Sequence, residues 1–325
     1  MIIQNQIYQF CTIFDSSYYT KGLALYYSLE KVCDFQLYIF TPDDKCYDLL
    51  INKKLSKAII IRLSEIEDEE LKQIKMVRDV AEYFWTIKAS CINFLFKKNN
   101  LDFVTYIDAD IFFYSSPDLI FKELEDNSVL ITPHNFSPKY QGELKNGIYN
   151  AGFISFRNDE SGLTALNWWN TRCREWCYKK KENGKFGDQM YLNELAKFER
   201  VHTLEYKGAL ANWNVQQFDY QIENGKIIGE MESGKSFEII FYHFHYLKFL
   251  NSYEVEIGRK YISPKIFEIF YKPYITYLFE LAPFEMQGAL KKQLTWKTPL
   301  LYLLRKLKNT YNIFPLSEVI ENRNR

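Results

Sequence analysis

Two aspartates, one residue apart, follow an apolar run in the middle of the chain. Asp108 and Asp110 come after FVTYI and before IFFY. This pattern predicts a buried strand that ends in two acids, and ligands of open α/β folds bind at the carboxyl ends of such strands. The two carboxylates can bind a hard divalent cation, which neutralises a diphosphate. A solvated loop after a strand is the alternative, but it offers no partner to offset the repulsion between the acids.

Two further motifs place an amide side chain beside a glycine or an acid. Asn150 and Gly152 lie in IYNAGFISF. The amide can bind sugar hydroxyls, and the glycine lets the backbone approach a ligand closely. Asp188 and Gln189 open a predicted helix in GKFGDQM. A turn between two strands explains the first motif equally well, and an acid favoured by the helix dipole explains the second.

A pair of histidines lies late in the chain. His243 and His245 alternate along the predicted strand FYHFHYLKF, so both imidazoles face the same side. With Lys248 after them, they are typical of a metal ligand followed by a phosphate-binding cation. A single strand histidine is usually a core residue with its hydrogen bonds satisfied.

The elements that must position these residues follow an α/β pattern. Continuous apolar runs in the first half are typical of parallel strands that are covered on both faces. The strands predicted there are residues 7–14, 35–40, 57–63 and 103–108, and the helices are residues 21–32, 67–80 and 83–97.

The second half predicts a different set of elements. SVLITP and GIYNAGFISF are predicted strands, IENGKI carries an Asn-Gly hairpin signal, and FEIIFYHF is predicted as one buried strand. One helix face contains Cys173 and Cys177, which we interpret as buried thiols because no second Cys or His pair completes a zinc site. From Ser263 onward the pattern is helical.

Composition excludes several classes of protein. The chain of 325 residues has 41 Lys+Arg and 41 Asp+Glu, so no global positive field is available to bind nucleic acid. Hydrophobic residues at 47% exclude wholesale disorder. No window approaches ~20 uninterrupted apolar residues, and the N-terminus lacks a basic signal region. We therefore expect a cytoplasmic protein with reduced thiols.

Taken in order, the motifs resemble those of the GT-A glycosyltransferases. The similarity is greatest to the retaining, nucleotide-sugar-dependent branch related to glycogenin and the bacterial lipooligosaccharide galactosyltransferases, and it covers about residues 7–250. TIFDSSYYTKGLALYYSL and WTIKASCINFLF add to it. The resemblance implies an α/β GT-A fold with a mixed, mostly parallel sheet flanked by helices. It also implies a catalytic domain over 1–250, with a nucleotide-binding half (1–110) and a donor-sugar and acceptor half (111–250), followed by a helical C-terminal appendage (251–325).

The resemblance also implies roles for individual residues. Mn²⁺, or Mg²⁺ as an alternative, would be bound by Asp108, Asp110 and His243, with His245 as the second choice of histidine. Asp108 would also contact the nucleotide diphosphate. Asp15 and Tyr18 would bind the uracil base, and Lys248 would bind phosphate. The donor sugar would be bound by Asn150, Gly152 and Asp188. Gln189 and Asp188 would act in catalysis. The family usually follows its late histidine with Gly and a Lys-Pro-Trp ending, whereas the segment here is shorter. Arg78 and Lys88 are additional phosphate candidates, or they lie on a solvated helix face.

The resulting hypothesis is transfer of a sugar from a UDP-sugar to a saccharide or lipid-linked acceptor, with retention at the anomeric carbon. Two alternatives are a sugar-1-phosphate nucleotidyltransferase and a non-catalytic carbohydrate- or nucleotide-binding protein of the same fold. The former would be expected to begin with a Gly-rich phosphate loop, and this N-terminal region has Gly22 alone. The tail from Leu281 to Arg325 carries eight basic and three acidic side chains, which suits peripheral contact with an anionic membrane. A helix packed back on the catalytic domain, with its lysines in water, explains the tail at least equally well.

Overall fold

The structure, a computed structural model, describes residues 7–282 and 312–320. These residues form two compact units. Unit one comprises the chain up to Asp15, Leu29–Ala109 and Ser116–Tyr206. Unit two comprises Ser16–Ser28, Asp110–Ser115 and the chain from Lys207 onward. The predicted division at residue 250 is a functional one and stays a prediction.

The strands and helices are numbered in chain order over the described residues. The strands are β1 (Tyr8–Ile13), β2 (Phe35–Thr41), β3 (Ala58–Arg62), β4 (Phe103–Ile107), β5 (Ile111–Phe113), β6 (Val129–Pro133), β7 (Tyr149–Arg157), β8 (Val201–Thr203), β9 (Ala209–Ala211), β10 (Asp219–Glu223), β11 (Lys226–Glu230), β12 (Ser236–Glu238), β13 (Phe241–His243), β14 (Leu247–Asn251), β15 (Glu254–Ile257) and β16 (Ile313–Pro315). The helices are α1 (Tyr19–Val32), α2 (Asp44–Lys53), α3 (Glu69–Val77), α4 (Val80–Asn99), α5 (Asp118–Lys122), α6 (Glu160–Glu175), α7 (Leu192–Leu195), α8 (Pro264–Ile266), α9 (Lys272–Leu281) and α10 (Leu316–Val319).

Unit one is built on a seven-stranded sheet with the order β3-β2-β1-β4-β7-β6-β8. Its strand pairs are parallel except those of β7, which runs antiparallel to both β4 and β6. Buried side chains of the sheet, α4 and α6 form one apolar core, which includes Trp169. The predicted α/β class with a mostly parallel sheet is confirmed. Because β4 runs parallel to β1, β2 and β3, the acid after β4 is placed at the carboxyl edge of these strands, as the sequence predicts.

Unit two contains three small sheets, ordered β10-β11-β12, β5-β13-β9 and β14-β15-β16. The predicted Asn-Gly hairpin joins β10 to β11, with Asn224 and Gly225 both at positive φ. Its core is rich in aromatic side chains: the rings of Phe244 and Tyr274 stack at 3.7 Å, and the hydroxyl of Tyr242 donates to that of Tyr271 at 3.0 Å. Many of the aromatic residues, which make up 18% of the chain, therefore lie in the core.

Two predicted elements of unit two are wrong in detail. FEIIFYHF forms two strands rather than one, because the chain changes partner: the amide of Ile239 donates to Ile227 and that of Ile240 donates to Gly208. The region after Ser263 is helical through α9, but β16 pairs with β15 as an added strand. Most of the tail that we expect to contact membranes lies outside the described residues. No helix among the described residues is long and apolar enough to cross a membrane.

All six cysteines are free thiols. Five are buried, including Cys173 and Cys177, and Cys33 is half-buried. Burial raises the pKa of the Cys11, Cys46, Cys91 and Cys173 thiols, and it raises that of Cys33 to about 12. The interpretation of Cys173 and Cys177 as buried thiols is confirmed.

Arg78 joins two helices of unit one and does not lie on a solvated helix face. It is 7% exposed, and its guanidinium donates to the carbonyls of Cys173 at 2.7 Å and Arg174 at 2.6 Å. A third bond reaches the hydroxyl of Thr86 in α4. The cation therefore caps the last turn of α6, where carbonyls lack helical partners and the helix dipole favours positive charge.

We expect Arg78→Met to lower the free energy of unfolding by about 3 kcal/mol, because two buried carbonyls lose a charged donor. Urea unfolding followed by circular dichroism measures the change. Arg172→Met is the matched control on α6, since Arg172 makes a half-exposed ion pair with Glu175 at 2.9 Å and such pairs contribute about 0–1 kcal/mol. Equal losses for the two variants would show that Arg78 is not a cap.

Candidate active site

In unit one, a buried lysine lies between two carboxylates. Lys88, at the centre of α4, is 4% exposed. Its ammonium lies 3.2 Å from Oδ1 of Asp108 and 3.2 Å from Oδ2 of Asp188, and it donates to the carbonyl of Ala151 at 3.1 Å. We call Lys88, Asp108 and Asp188 the lysine cluster. Lys88 therefore does not lie on a solvated helix face.

Charge and burial oppose each other in the lysine cluster. Burial alone would lower the pKa of Lys88, but Asp108 and Asp188 together raise it well above its usual value. Burial raises the pKa of Asp188, an effect that Asp108 reinforces and the positive charge of Lys88 only partly offsets. The amine of Lys88 is therefore firmly protonated. Of the two acids, Asp188 is the one whose ionised form is costly to maintain.

The other predicted sugar-binding residues of unit one surround this cluster. The amide of Asp108 donates to the carbonyl of Gly152 at 2.8 Å, and the amide of Gly152 donates to Oδ1 of Asn150 at 2.8 Å. Backbone bonds between the chain after β4 and β7 thus bring the Asp-x-Asp and Asn-x-Gly motifs together. Gln189 follows Asp188, and its Nε2 donates to the carbonyl of Asn146 at 2.8 Å.

Sequence reasoning did not place Lys88 in this group. The sequence feature that indicates a buried lysine is its position between Ile87 and Ala89, in a predicted helix whose neighbouring positions are apolar. A charge in such a setting needs a buried counter-charge. The sequence alone does not say which acids supply it, because Asp108 and Asp188 are distant along the chain.

In unit two, one acid and two imidazoles form a second cluster. Ligand atoms of Asp110, His243 and His245 all lie within 4.8 Å of one another, and we call these residues the histidine cluster. Nε2 of His243 lies 3.0 Å from Oδ1 of Asp110. Burial would raise the pKa of Asp110, but the charges of His243, Lys21 and His245 hold it below its usual range.

The two histidines reach Asp110 by different routes. His243 ends β13, where it pairs with Ile111 of β5 immediately after Asp110. His245 lies in the turn after β13, so the predicted alternation along one strand is wrong. Its imidazole nevertheless approaches that of His243, with ring centroids 5.5 Å apart. The amide of Phe244 donates to the carbonyl of Asp110 at 2.8 Å and fixes the turn.

The remaining predicted residues lie at separate positions. Tyr18 is 40% exposed as a residue, and the ammonium of Lys21 lies 4.0 Å from the centroid of its ring. Lys248 is on β14 and makes a 3.3 Å ion pair with Glu256 of β15. Asp15 is half-buried in unit one, after β1. The nucleotide contacts of Asp15, Tyr18 and Lys248 stay predictions.

The turn that carries His245 contains an aromatic residue in a left-handed conformation. Tyr246 has φ 69° and is 56% exposed, and the centroid of its ring lies 4.3 Å from that of His245. Glycine adopts this conformation without steric cost, whereas a residue with a Cβ atom does not. The turn therefore contains a residue that is strained in its left-handed conformation.

We expect Tyr246→Gly to be about 1 kcal/mol more stable than Tyr246→Ala, because both remove the ring but only alanine is strained at positive φ. Thermal and urea unfolding of the two variants give the difference. At Tyr253, which is exposed and is not among the residues with positive φ, the glycine and alanine variants should rank in the opposite order. An alanine variant as stable as the glycine variant at Tyr246 contradicts the assigned strain.

Comparison with known proteins agrees with this architecture. The family profile described as nucleotide-diphospho-sugar transferase matches residues 36–236. The protein YfnF of Bacillus subtilis (strain 168) is 33% identical over 258 residues, which cover 76% of this chain and 84% of YfnF. YfnD of the same organism is 30% identical over 244 residues, which cover 73% of this chain and 77% of YfnD.

A solved structure shares the fold. The galactosyltransferase LgtC, in complex with donor and acceptor sugar analogs, superposes with a TM-score of 0.57 at 12% identity. The match covers 87% of this chain and all of LgtC. The resemblance predicted from the motif order is thus confirmed. With a family profile spanning more than half of its length, this chain belongs to the nucleotide-diphospho-sugar transferase family and is a glycosyltransferase of the GT-A fold.

Proposed function

We propose that the protein transfers a hexose from a UDP-sugar to a saccharide or lipid-linked acceptor, in a Mn²⁺-dependent reaction that retains the anomeric configuration. Family membership supports a nucleotide-sugar donor. The observation that carries the finer proposal is the histidine cluster, because a buried carboxylate and two imidazoles with converging ligand atoms suit a divalent cation. Retention is proposed from the resemblance to the retaining branch.

The donor set of the histidine cluster fits a manganese ion. Asp110 offers an oxygen, His243 and His245 offer nitrogens, and imidazole ligands favour Mn²⁺ over Mg²⁺. We assign Asp110 and His243 as ligands, with His245 as the second choice of histidine. When bound, the ion supplies positive charge that stabilises the departing diphosphate. Asp108 as a further metal and nucleotide contact stays a prediction of the resemblance.

The lysine cluster has a different proposed role, which is to orient groups around the donor sugar. Lys88 holds the carboxylate of Asp188 and fixes its direction, so that Asp188 can accept hydrogen bonds from sugar hydroxyls. Because Nε2 of Gln189 is engaged by Asn146, the carbonyl oxygen Oε1 is the atom left to approach the anomeric carbon. There it would act as a weak nucleophile or as electrostatic support for an oxocarbenium-like state. Asn150 and Gly152 complete the proposed sugar contacts.

The nucleotide contacts follow from the same proposal. The exposed ring of Tyr18 provides a face on which uracil can stack, with Asp15 as its hydrogen-bond partner. Lys248 binds phosphate only in competition with Glu256, so its contribution should be the smallest of the set. Contact of the C-terminal tail with an anionic membrane is proposed from its charge alone.

Hydrolysis of UDP-sugars without an acceptor tests the proposal. We expect slow release of UDP from UDP-glucose, UDP-galactose or UDP-N-acetylglucosamine in Mn²⁺, and none in EDTA. GDP-glucose, which differs from UDP-glucose only in the base, is the matched control. Binding of UDP without hydrolysis of any sugar in the panel would favour the non-catalytic alternative. Failure to bind any nucleotide would overturn the proposal.

A further inference from the structure

One lysine near the start of α1 is buried in unit two. Lys21 lies in the first turn of this helix, which begins at Tyr19, and its side chain is enclosed by protein. The positive end of the helix dipole disfavours a cation at this place, and removal of an ammonium group from water adds a further cost. The stability of α1 therefore does not account for Lys21.

The ammonium of Lys21 contacts both an aromatic ring and a backbone carbonyl. Its nitrogen lies 4.0 Å from the centroid of the Tyr18 ring, which is a cation–π contact. It also donates to the carbonyl of Leu247 at 2.6 Å. One charged group therefore links the ring of Tyr18 to the first residue of β14.

Leu247 closes the turn that carries His245. The amide of Leu247 donates to the carbonyl of Phe244 at 3.1 Å, and the amide of Phe244 donates to the carbonyl of Asp110 at 2.8 Å. The turn is thus held at one end by the backbone of Asp110 and at the other end by the ammonium of Lys21. His245 lies between these two attachments, so the position of its imidazole depends on both.

The other lysine near this turn has a different partner. Lys248 pairs with Glu256 of β15 at 3.3 Å. The charge of Lys21, in contrast, acts on the histidine cluster: burial would raise the pKa of Asp110, and the charges of His243 and then of Lys21 lower it. Of the two lysines, Lys21 is therefore the one that connects Tyr18 with this cluster.

We propose that Lys21 is a positioning residue that couples binding of the donor's base to binding of the divalent cation. The inference rests on the proposed function, in which uracil stacks on Tyr18 and the cation binds at the histidine cluster. Because the ammonium contacts one face of the ring, the base can stack on the other face. Stacking restricts the ring, and through Lys21 it restricts the turn with His245. A turn that is already ordered loses less entropy when its imidazole binds a cation, so the two ligands bind cooperatively.

The mutual effects of uridine and Mn²⁺ test this coupling in the full chain. Uridine lacks the diphosphate through which a nucleotide would contact the ion, so its effect on the ion is transmitted by the protein. We expect saturating uridine to lower the Kd of Mn²⁺ about fivefold, and saturating Mn²⁺ to lower the Kd of uridine by the same factor. The EPR signal of free Mn²⁺ and calorimetric titration of uridine give the two constants. Ribose, which lacks the base, is the matched control ligand.

Variants of Lys21 make the test specific. Lys21→Met should reduce the coupling to less than about twofold, because methionine supplies neither the positive charge nor the donor. Lys21→Arg keeps both and should retain most of the coupling. Lys31→Met is the matched control, since Lys31 is exposed in the last turn of the same helix. A purely structural lysine would weaken both ligands without changing the factor that relates their affinities.

The role of Lys21 is overturned if uridine and Mn²⁺ both bind the native protein but do so independently, or if Lys21→Met retains the native coupling. The first of these results requires no variant, so it decides the question even if Lys21→Met does not fold. If uridine or Mn²⁺ does not bind the native protein at all, the proposed function is the error, and the inference falls with it.

Discussion

Asp110→Ala is expected to lower the rate of sugar transfer by about 10³-fold, equivalent to about 4 kcal/mol of lost stabilisation. The reason is that Asp110 supplies the carboxylate of the histidine cluster, whose other members, His243 and His245, are neutral ligands when they bind a metal ion. The measurement is a steady-state rate with Mn²⁺, together with calorimetric titration of Mn²⁺ into each variant.

The histidine variants refine the same prediction. His243→Ala should weaken Mn²⁺ binding more than His245→Ala, because His243 lies on a paired strand and His245 in a turn. His202→Ala is the matched control: His202 also lies close to a carboxylate, 3.0 Å from Glu123, but in unit one. Undiminished turnover of the Asp110 variant in EDTA would remove the metal role. A larger loss for His245→Ala would exchange the two assignments.

Lys88→Met is expected to cost about 3–5 kcal/mol of unfolding free energy, because it leaves buried acid without its counter-charge. Activity should also fall, since Asp188 is then no longer held by an ammonium group. Because the pKa of Lys88 is raised in the folded protein, its contribution is complete below about pH 10 and is lost only at higher pH. Urea unfolding should therefore give the same loss at about pH 6 and about pH 8.

A second substitution separates stability from activity. Asp188→Asn added to Lys88→Met should recover about 2 kcal/mol, because the more buried of the two acids no longer carries a charge. It should not recover transfer, since the proposed sugar contact is also removed. Lys98→Met is the matched control on α4, where Lys98 pairs with Glu65 at the surface at 3.0 Å. A Lys88→Met protein as stable as this control would contradict the buried ion-pair network.

The sheet of unit one was predictable because its signal is local. Continuous apolar runs such as FQLYIF become β2, and the acid after β4 falls where a parallel strand ends. The partner of Lys88 was not predictable in this way, since Asp108 and Asp188 join it only through the packing of α4 against the sheet. The turn at His245 escaped prediction for a related reason: FYHFHYLKF has a strand pattern throughout, and only the bond from Phe244 to Asp110 breaks it.

The short hairpin between Glu182 and Lys185, with Asn183 and Gly184 at positive φ, shows the opposite case. Its Asn183-Gly184 pair is as clear a turn signal as Asn224-Gly225, yet it joins segments too short and polar to be recognised as strands. The lysines that it presents were not distinguishable by sequence from ordinary surface charges. Two of them, Lys179 and Lys180, pair with Asp79 and Glu182, and this pairing depends on the folded chain.

The buried thiols have a practical consequence for these experiments. With raised pKa values, Cys11, Cys46, Cys91 and Cys173 contribute almost no thiolate to the native protein at neutral pH, and alkylating reagents react with thiolates. Iodoacetamide should therefore modify these four side chains only while the surrounding core is open. The number of labels per molecule, counted by mass spectrometry after a short pulse, then reports the opened fraction of each variant. Such labelling can rank Lys88→Met and Arg78→Met in cell extracts, where spectroscopy is impractical.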